Sequence, residues 1–450
     1  MDDVTYRGRH AAKTGPIDYI VTLDAAFPFM PPKVLVDPEE SVPWSWHRYV
    51  DGSMCLYTED DHGSTPWLDV DSFLVQVEHW IDNTISGWTT DNPDMDLERY
   101  FTPSNHRLLV LYADLDRYKT PFVLLRTTEY TATVVGEAKA PPKHRPRHRL
   151  YGYMVDIGTP DEPPRTWDQV MTLVGPSDDV TRLVAERLID VVLVRYRRGG
   201  TDGVLALRVR WTADGVLAQA MPAAPNDASV MEMRAGPQRV LLESAHVHLV
   251  GGGALGSFIA DGLIRAGLGR LTIQDHDVVR PGNLVRHLVG AEQVGMAKGS
   301  AIKDYLDRTT YSHCTIEVSS TAMLTLEQAL HALRSCHLLI DATANSVATS
   351  VLAHAARITG TSILAACLQN DGQTQRVDVI PPMSGSPIPP TLQRASVAPA
   401  LYEGGCGSPV SPTPPHAVIE AAAMTVAHAV GFLTRSHVST NGELRDRAAL

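Results

Sequence analysis

Gly251, Gly253 and Gly256 stand directly after the apolar run VHLV and ahead of a stretch with helical spacing. Glycines there permit a tight turn and close backbone approach, and the N–H groups that open the following helix are ready partners for phosphate oxygens. Asp275 ends the next apolar run, where an acidic side chain can hold ribose hydroxyls. Asp277, Asn283, Arg286 and Lys298 follow closely. A hydride-transferring site needs an apolar face for nicotinamide and has no use for such a cluster. Cations beside a nucleotide suit a reaction that displaces pyrophosphate, because charge develops on phosphate oxygens in the transition state.

The second set of reactive groups is five cysteines, Cys55, Cys314, Cys336, Cys367 and Cys406, with no C-x-x-C pair among them. An odd count without close pairing predicts reduced thiols, and the spacing does not suggest a tetrathiolate zinc site. Cys314 and Cys336 flank strand-like runs and read as core residues. Cys367, at the end of an apolar run, reads as core or as functional. Cys406 lies in the glycine- and proline-rich stretch YEGGCGSPVSPTPPH, where burial is not expected; it is an incidental loop residue or a nucleophile. Cys55, in DGSMCLY, follows a turn and is core packing, a metal ligand or a nucleophile.

The elements that must position these groups fall into three regions, 1–118, 119–238 and 239–450. In the first, DYIVTLD has strand character, FPFMPP breaks it, and VDSFLVQVEHWIDNTI carries apolar residues at helical spacing, which together make a small α+β unit. The second holds short β-rich runs, a helix around DDVTRLVAERLID and proline-rich breaks, with no chemical motif; a connecting α+β domain is the expectation. From HVHLVGGGALG onward the texture is strand, glycine turn, helix, strand, which predicts a parallel sheet covered by helices. CHLLIDAT and TSILAACL supply further strands, and HAVIEAAAMTVAHAVGFLTRS a last helix.

Length and composition bound the rest. A chain of 450 residues, 44% hydrophobic and 20% charged, has room for two to four domains with cores of their own. A formal net charge of -12 argues against nucleic acid as a partner. The locally basic PPKHRPRHR reads as a solvated linker. No unbroken apolar run is long enough to span a bilayer and MDDVTYRGRH is no secretory signal, so the expectation is a cytoplasmic protein without a membrane partner.

In this order the motifs carry a resemblance. GGGALGS, then Asp275-x-Asp277, NLVR at 283–286, G-x-x-K ending at Lys298, and LLIDAT resemble the ThiF and MoeB type of carboxyl-adenylating domain, the catalytic fold of ubiquitin-activating enzymes, over roughly 247–433. The resemblance implies a Rossmann-like α/β domain using ATP and Mg2+. Asp275 would bind ribose, Asn283, Arg286 and Lys298 would handle the phosphates, and Asp341 would lie near the magnesium. The family commonly reads D-x-x-D-N at this strand end, whereas Ala344 stands at the second acidic place here. YIVTLDAAFPFMPPKVLV, then His47, Asp51-Gly52 and Cys55-Leu56, then Trp67 and SFLVQVEHWI, resemble a ubiquitin-conjugating enzyme over about 15–88. By that resemblance Cys55 is the acyl acceptor and His47 mostly structural, while the usual asparagine two places after the histidine is missing. Bacterial relatives fused to a conjugating domain carry a loop like that of Cys406.

The combined expectation is a multidomain fusion: a ubiquitin-conjugating-like domain, a linker domain and an adenylation domain. It would adenylate the C-terminal carboxylate of a small protein, pass it to Cys406 and then Cys55, and conjugate it to a target, most simply on lysine. The partner would be a ubiquitin-like protein or a nucleotidyltransferase with a flexible tail, the adenylating family implies a homodimer, and the setting resembles antiphage-defence operons. The rival expectation is a non-catalytic nucleotide-binding scaffold that recruits a protein tail, favoured by Ala344 and the missing asparagine.

Overall fold

The computed structural model describes residues 3–58, 61, 63–88, 96–105, 108–118, 121–138, 141–142, 146, 148–175, 178–198, 200–227, 230, 233–309, 313–394, 411–436 and 439–447. They form two compact units, Met1–Asp227 and Ala228–Leu450.

In the first unit β1 (Val4–Ala12), β2 (Gly15–Leu23) and β3 (Lys33–Val36) form an antiparallel sheet in that order. Alternate residues of β2 and β3, from Ile17 to Val36, turn inward and meet Phe73, Val77, Trp80 and Ile81 of helix α1 (Val70–Ser86). That is the period-2 face of a strand laid against the apolar stripe of a helix. Asp69 caps α1, its carboxylate accepting from the Ser72 N–H.

The rest of this unit is an eight-stranded sheet built from β4 (Leu109–Tyr112), β5 (Phe122–Arg126), β6 (Thr131–Glu137), β7 (Arg149–Asp156), β8 (Val191–Arg198), β9 (Thr201–Thr212), β10 (Gly215–Met221) and β11 (Ala223–Pro225). Its order is β10-β9-β8-β7-β5-β6-β4-β11. Helices α2 (Trp167–Val174) and α3 (Asp178–Ala185) contribute Trp167, Val170, Val180 and Leu183 to its core. Trp46, Leu97 and Tyr100 enter the same core. Trp46 donates to the Asp161 carbonyl at 2.9 Å and Tyr100 to the Trp46 carbonyl at 2.6 Å, so the segment leading to Cys55 is tied to this layer.

The second unit is built on a seven-stranded sheet of β12 (His246–Val250), β13 (Arg270–Gln274), β14 (Thr315–Ser319), β15 (Leu338–Asp341), β16 (Ile363–Gln369), β17 (Thr374–Ile380) and β18 (Gly442–Asp446). The order is β14-β13-β12-β15-β16-β17-β18, with the first five strands parallel and the last two antiparallel. Helices α4 (Ala254–Arg265), α5 (Lys298–Thr309), α6 (Leu326–Ser335) and α7 (Ser346–Thr359) alternate with the parallel strands. Strand order reverses at β12, which has β13 on one side and β15 on the other, and in such sheets the crevice beyond the strand ends at that point receives ligands.

Helix α8 (Pro415–Thr434) is long and apolar enough by composition to cross a membrane. Half of it is buried inside this unit, where Ala421, Ala422, Met424 and Ala429 join the core beside α4 and the sheet, as in a core helix.

Candidate functional site

Each glycine of the motif has a different physical reason. Gly251 sits at φ +97, and a Cβ there would come within 2.7 Å of the Ala342 backbone. At Gly256, one turn into α4, a Cβ would lie 1.9 Å from the Gly251 carbonyl oxygen, so glycine is what lets the helix approach the strand. At Gly253 a Cβ would meet nothing within 4 Å. The backbone there is extended and open space lies before it, at the N-terminus of α4. That is a cradle for an anion that a side chain would fill.

Two side chains hold the glycine loop. Asp275 accepts from the Gly252 N–H at 2.7 Å and from the Asp277 N–H at 2.8 Å. His287, almost fully buried, bonds the Gly252 carbonyl oxygen through Nε2 at 2.8 Å, while its Nδ1 accepts from the Val289 N–H. The second contact leaves Nε2 as the protonated nitrogen and donor. Burial pushes the His287 imidazole below its ordinary value, which favours this neutral form.

The cleft at the strand ends has a volume of about 220 Å3 and is lined by Gly251, Gly253, Asp275, Asp277 and Lys298 among others. The Lys298 ammonium, little exposed, lies 2.6 Å from the Asp277 carboxylate. Burial alone would raise the Asp277 carboxyl, but the Lys298 ammonium and the Val278 N–H outweigh it and hold the group below the usual range. Thr321, Met323 and Asn345 also line the cleft. Asn345 closes the D-x-x-D-N pattern, with no role assigned to it from sequence. Thr321, Met323 and His287 were not found, their only trace being position, after β14 and just beyond Arg286.

Besides Gly256, three expected residues lie off the cleft wall. Asn283 closes a short turn, its side-chain oxygen accepting from the Arg280 N–H at 3.0 Å. Arg286 is part-buried and donates to the Thr413 carbonyl oxygen at 3.4 Å, and burial lowers its guanidinium. No carboxylate pairs with it among the described residues, which makes it a cation that an anion would satisfy. Asp341 ends β15 and is 2% exposed. One of its oxygens accepts from the Thr343 N–H and hydroxyl, and the other from the Thr349 hydroxyl at 2.5 Å. A carboxylate so enclosed does not fit a magnesium ligand, and no group of three acidic, histidine or cysteine side chains gathers for a metal among the described residues. Ala344 is exposed at φ +50, and Asn345 caps α7 by accepting from the Val347 and Ala348 N–H groups.

Of the thiols, burial pushes Cys314 and Cys336 up to about 12 and Cys367 up to about 11, which leaves all three as inert thiols. Cys406 lies outside the described residues. Cys55 is partly exposed, and its Sγ is 3.5 Å from the Tyr49 hydroxyl. His47 stacks on Trp88 with ring centroids 3.7 Å apart. The His47 carbonyl accepts from the Cys55 N–H at 2.8 Å and from Trp80 Nε1 at 3.0 Å, so this stretch packs and ties the thiol loop to α1.

Residues 227–433 match the model of the ThiF family. Over 112 residues the chain is 40% identical to the adenylyltransferase and sulfurtransferase MOCS3 of Anopheles gambiae, covering 25% of each protein. Over 102 residues it is 33% identical to the ATP-dependent ubiquitin transferase-like protein Cap2 of Enterobacter hormaechei subsp. hoffmannii, 23% of this chain and 17% of that protein. The aligned stretches thus span a quarter or less of these relatives' own length. The solved structure of Escherichia coli MccB with MccA-N7isoASN is 17% identical over 45% of this chain and 60% of that one, with a TM-score of 0.37, too slight a likeness for anything to be carried over. The glycine loop, the reversal of strand order and the matched residues agree, and the C-terminal half of the chain holds a ThiF family domain.

Proposed function

We propose that this domain uses ATP to adenylate the C-terminal carboxylate of a small protein. The observation that carries the reading is the open cradle at Gly253, set at a helix N-terminus beside Lys298. Loop N–H groups and the start of α4 would receive phosphate oxygens, and Asp275, once it fixes the loop, would face the ribose. Lys298 would exchange Asp277 for the phosphates as negative charge builds on the departing pyrophosphate. Arg286, with no carboxylate partner among the described residues, is the second cation for that charge. The tail carboxylate attacks the α-phosphorus, the bond to the β-phosphate oxygen breaks, and pyrophosphate leaves. The relatives named MOCS3 and Cap2, an adenylyltransferase and a ubiquitin transferase-like protein, support this class of chemistry.

The acyl group then passes to Cys406 as AMP leaves, moves to Cys55 by thiol exchange, and ends on a target amine. In this reading residues 1–118 act as a conjugating domain, 119–238 as the link and 239–450 as the activating domain, in a cytoplasmic homodimer of a defence system. Holding both thiols on one chain raises their effective concentration. The acylated partner is a ubiquitin-like protein or a tailed nucleotidyltransferase. The enclosure of Asp341 and the alanine at 344 favour one rival, a scaffold that binds nucleotide and a protein tail without turnover.

A nonreducing gel separates the two. With ATP and the small proteins encoded beside this gene, wild type should form a reductant-sensitive adduct. Cys55→Ala should keep an adduct on Cys406, and Cys406→Ala should lose it from both thiols. Charging of Cys55 in Cys406→Ala would break the relay, and no adduct in any protein despite ATP binding would favour the scaffold.

A further inference from the structure

The loop that carries Cys55 is a narrow hairpin. Arg48 and Met54 form an antiparallel bridge, the Tyr49 N–H donates to the Ser53 carbonyl at 2.8 Å, and the Gly52 N–H returns to the Tyr49 carbonyl at 2.9 Å. Gly52, at φ +82, closes the turn. Asp51 braces it, accepting from the Ser53 N–H and hydroxyl and pairing with Lys33 at 2.6 Å. From the other side α1 holds the strand, through Trp80 on the His47 carbonyl and Gln76 on the Leu56 carbonyl. The frame sets two side chains of this hairpin against each other, the Tyr49 hydroxyl 3.5 Å from Cys55 Sγ.

Tyr49 is itself held. The Arg99 guanidinium lies over its ring, 5.0 Å from the centroid. Arg99 comes from the segment whose neighbours Leu97 and Tyr100 are buried in the eight-stranded sheet. Tyr49 stays 40% exposed, so a partner can reach both groups. In the free thiol the S–H donates to the phenol oxygen. Acylation of sulfur removes that proton, and the phenol hydrogen becomes free to donate. The carbonyl oxygen of a thioester is two bonds from Sγ, inside the reach of a hydroxyl at this distance.

We propose that Tyr49 is the catalytic hydrogen-bond donor to the acyl oxygen when Cys55 passes on its acyl group. The inference rests on the reading above, in which Cys55 carries a thioester. An amine nitrogen attacks the carbonyl carbon, and the π pair moves onto oxygen, where the phenol O–H meets it. The pair returns, the C–S bond breaks, and the sulfur takes the proton that the amine loses. The products are an amide and the Cys55 thiol. Burial pushes the Tyr49 phenol up from its ordinary value, which keeps its proton available as a donor at neutral pH once the sulfur is acylated. Removing one oxyanion donor commonly slows acyl transfer on the order of a hundredfold or more in a closed site; an exposed one should lose roughly ten- to a hundredfold.

The test uses the full chain and a synthetic peptide ending in Gly-Gly as its 2-mercaptoethanesulfonate thioester, which acylates Cys55 by thiol exchange. The thioester is located by peptide mass mapping, with Cys55→Ala as control. From the isolated thioester, discharge to free lysine is followed at saturating lysine. Tyr49→Phe should discharge about ten- to a hundredfold more slowly, with the lysine concentration for half-maximal rate unchanged. Tyr49 replaced by 3-fluorotyrosine, which keeps a more acidic hydroxyl, should discharge at least as fast as wild type. A purely structural role for Tyr49 would not divide these two variants, since both keep the ring. Equal discharge by Tyr49→Phe and wild type overturns the proposal while the thioester reading stands. Failure of wild-type Cys55 to acylate at all overturns both.

Discussion

Replacing Gly253 with alanine should spare the fold and damage nucleotide binding, and the structure sets the size of both effects. A Cβ at 253 meets nothing within 4 Å, and the backbone there is at φ -76 and ψ -160, a region alanine adopts freely. Restricting the unfolded chain stabilises by about 0.4–1 kcal/mol, and the poorer N-cap residue offsets part of that, so melting should barely move. In the bound state the same methyl group would occupy the space where phosphate oxygens meet the loop. Losing one hydrogen bond to a charged group costs about 1.5–3 kcal/mol, on the order of ten- to a hundredfold in ATP affinity. The control is Gly256→Ala, whose Cβ would lie 1.9 Å from a backbone oxygen that cannot swing aside. It should lower stability by about 1–3 kcal/mol or more. Thermal melts and calorimetric titration with ATP read both variants. Wild-type ATP affinity in Gly253→Ala, with the melt unchanged, would refute the placement of phosphate in this cradle.

Three further outcomes follow from the same geometry. His246, His248 and His287 are all lowered by burial below the ordinary histidine value near 6.5, so the unfolded chain takes up protons first as pH falls. Their stabilising effect is complete above that value and is lost as pH falls toward the folded values; melts from pH 7.5 to 5 should therefore decline, and a flat profile would oppose this. Ala344→Gly should raise the melting temperature, because an alanine at φ +50 carries about 1–2 kcal/mol of left-handed strain that glycine lacks; a lower melting temperature would count against it. Asn345→Ala should cost about 1 kcal/mol in denaturant titration by uncapping α7, and an unchanged midpoint would show that the cap contributes nothing.

Local signals in the chain were legible. Val247 and Leu249 alternate into the core from β12, three glycines follow, and an apolar helix face comes next, so strand, turn and helix were readable from spacing alone. The helix α1 and the strands β2, β5, β7, β8, β9, β15 and β16 were legible for the same reason. Contacts between distant segments were not. Nothing in the sequence says that His287 reaches back to the Gly252 carbonyl, or that Thr343 and Thr349 close around Asp341, since the first needs a loop to fold back and the second a helix start. Polar edge strands hid as well: β1, VTYRGRHAA, has Arg7 and Arg9 facing outward, and its inward His10 meets Asp82 of α1, so no apolar run betrays it. Tyr49 was legible as the residue standing where the resemblance expects asparagine, but its contact was not, because only the hairpin, closed by Gly52, brings it against Cys55.

The central claim is adenylation in the cleft at the ends of β12 and β13, and ATP–pyrophosphate exchange tests it most directly. Purified full-length protein is mixed with each small protein encoded beside its gene, and labelled pyrophosphate entering ATP is measured for wild type and Lys298→Ala. The account predicts exchange with one of these proteins, dependent on its C-terminal residue and lost in Lys298→Ala. Equal exchange in wild type and Lys298→Ala, or ATP binding without exchange for every small protein, would contradict it.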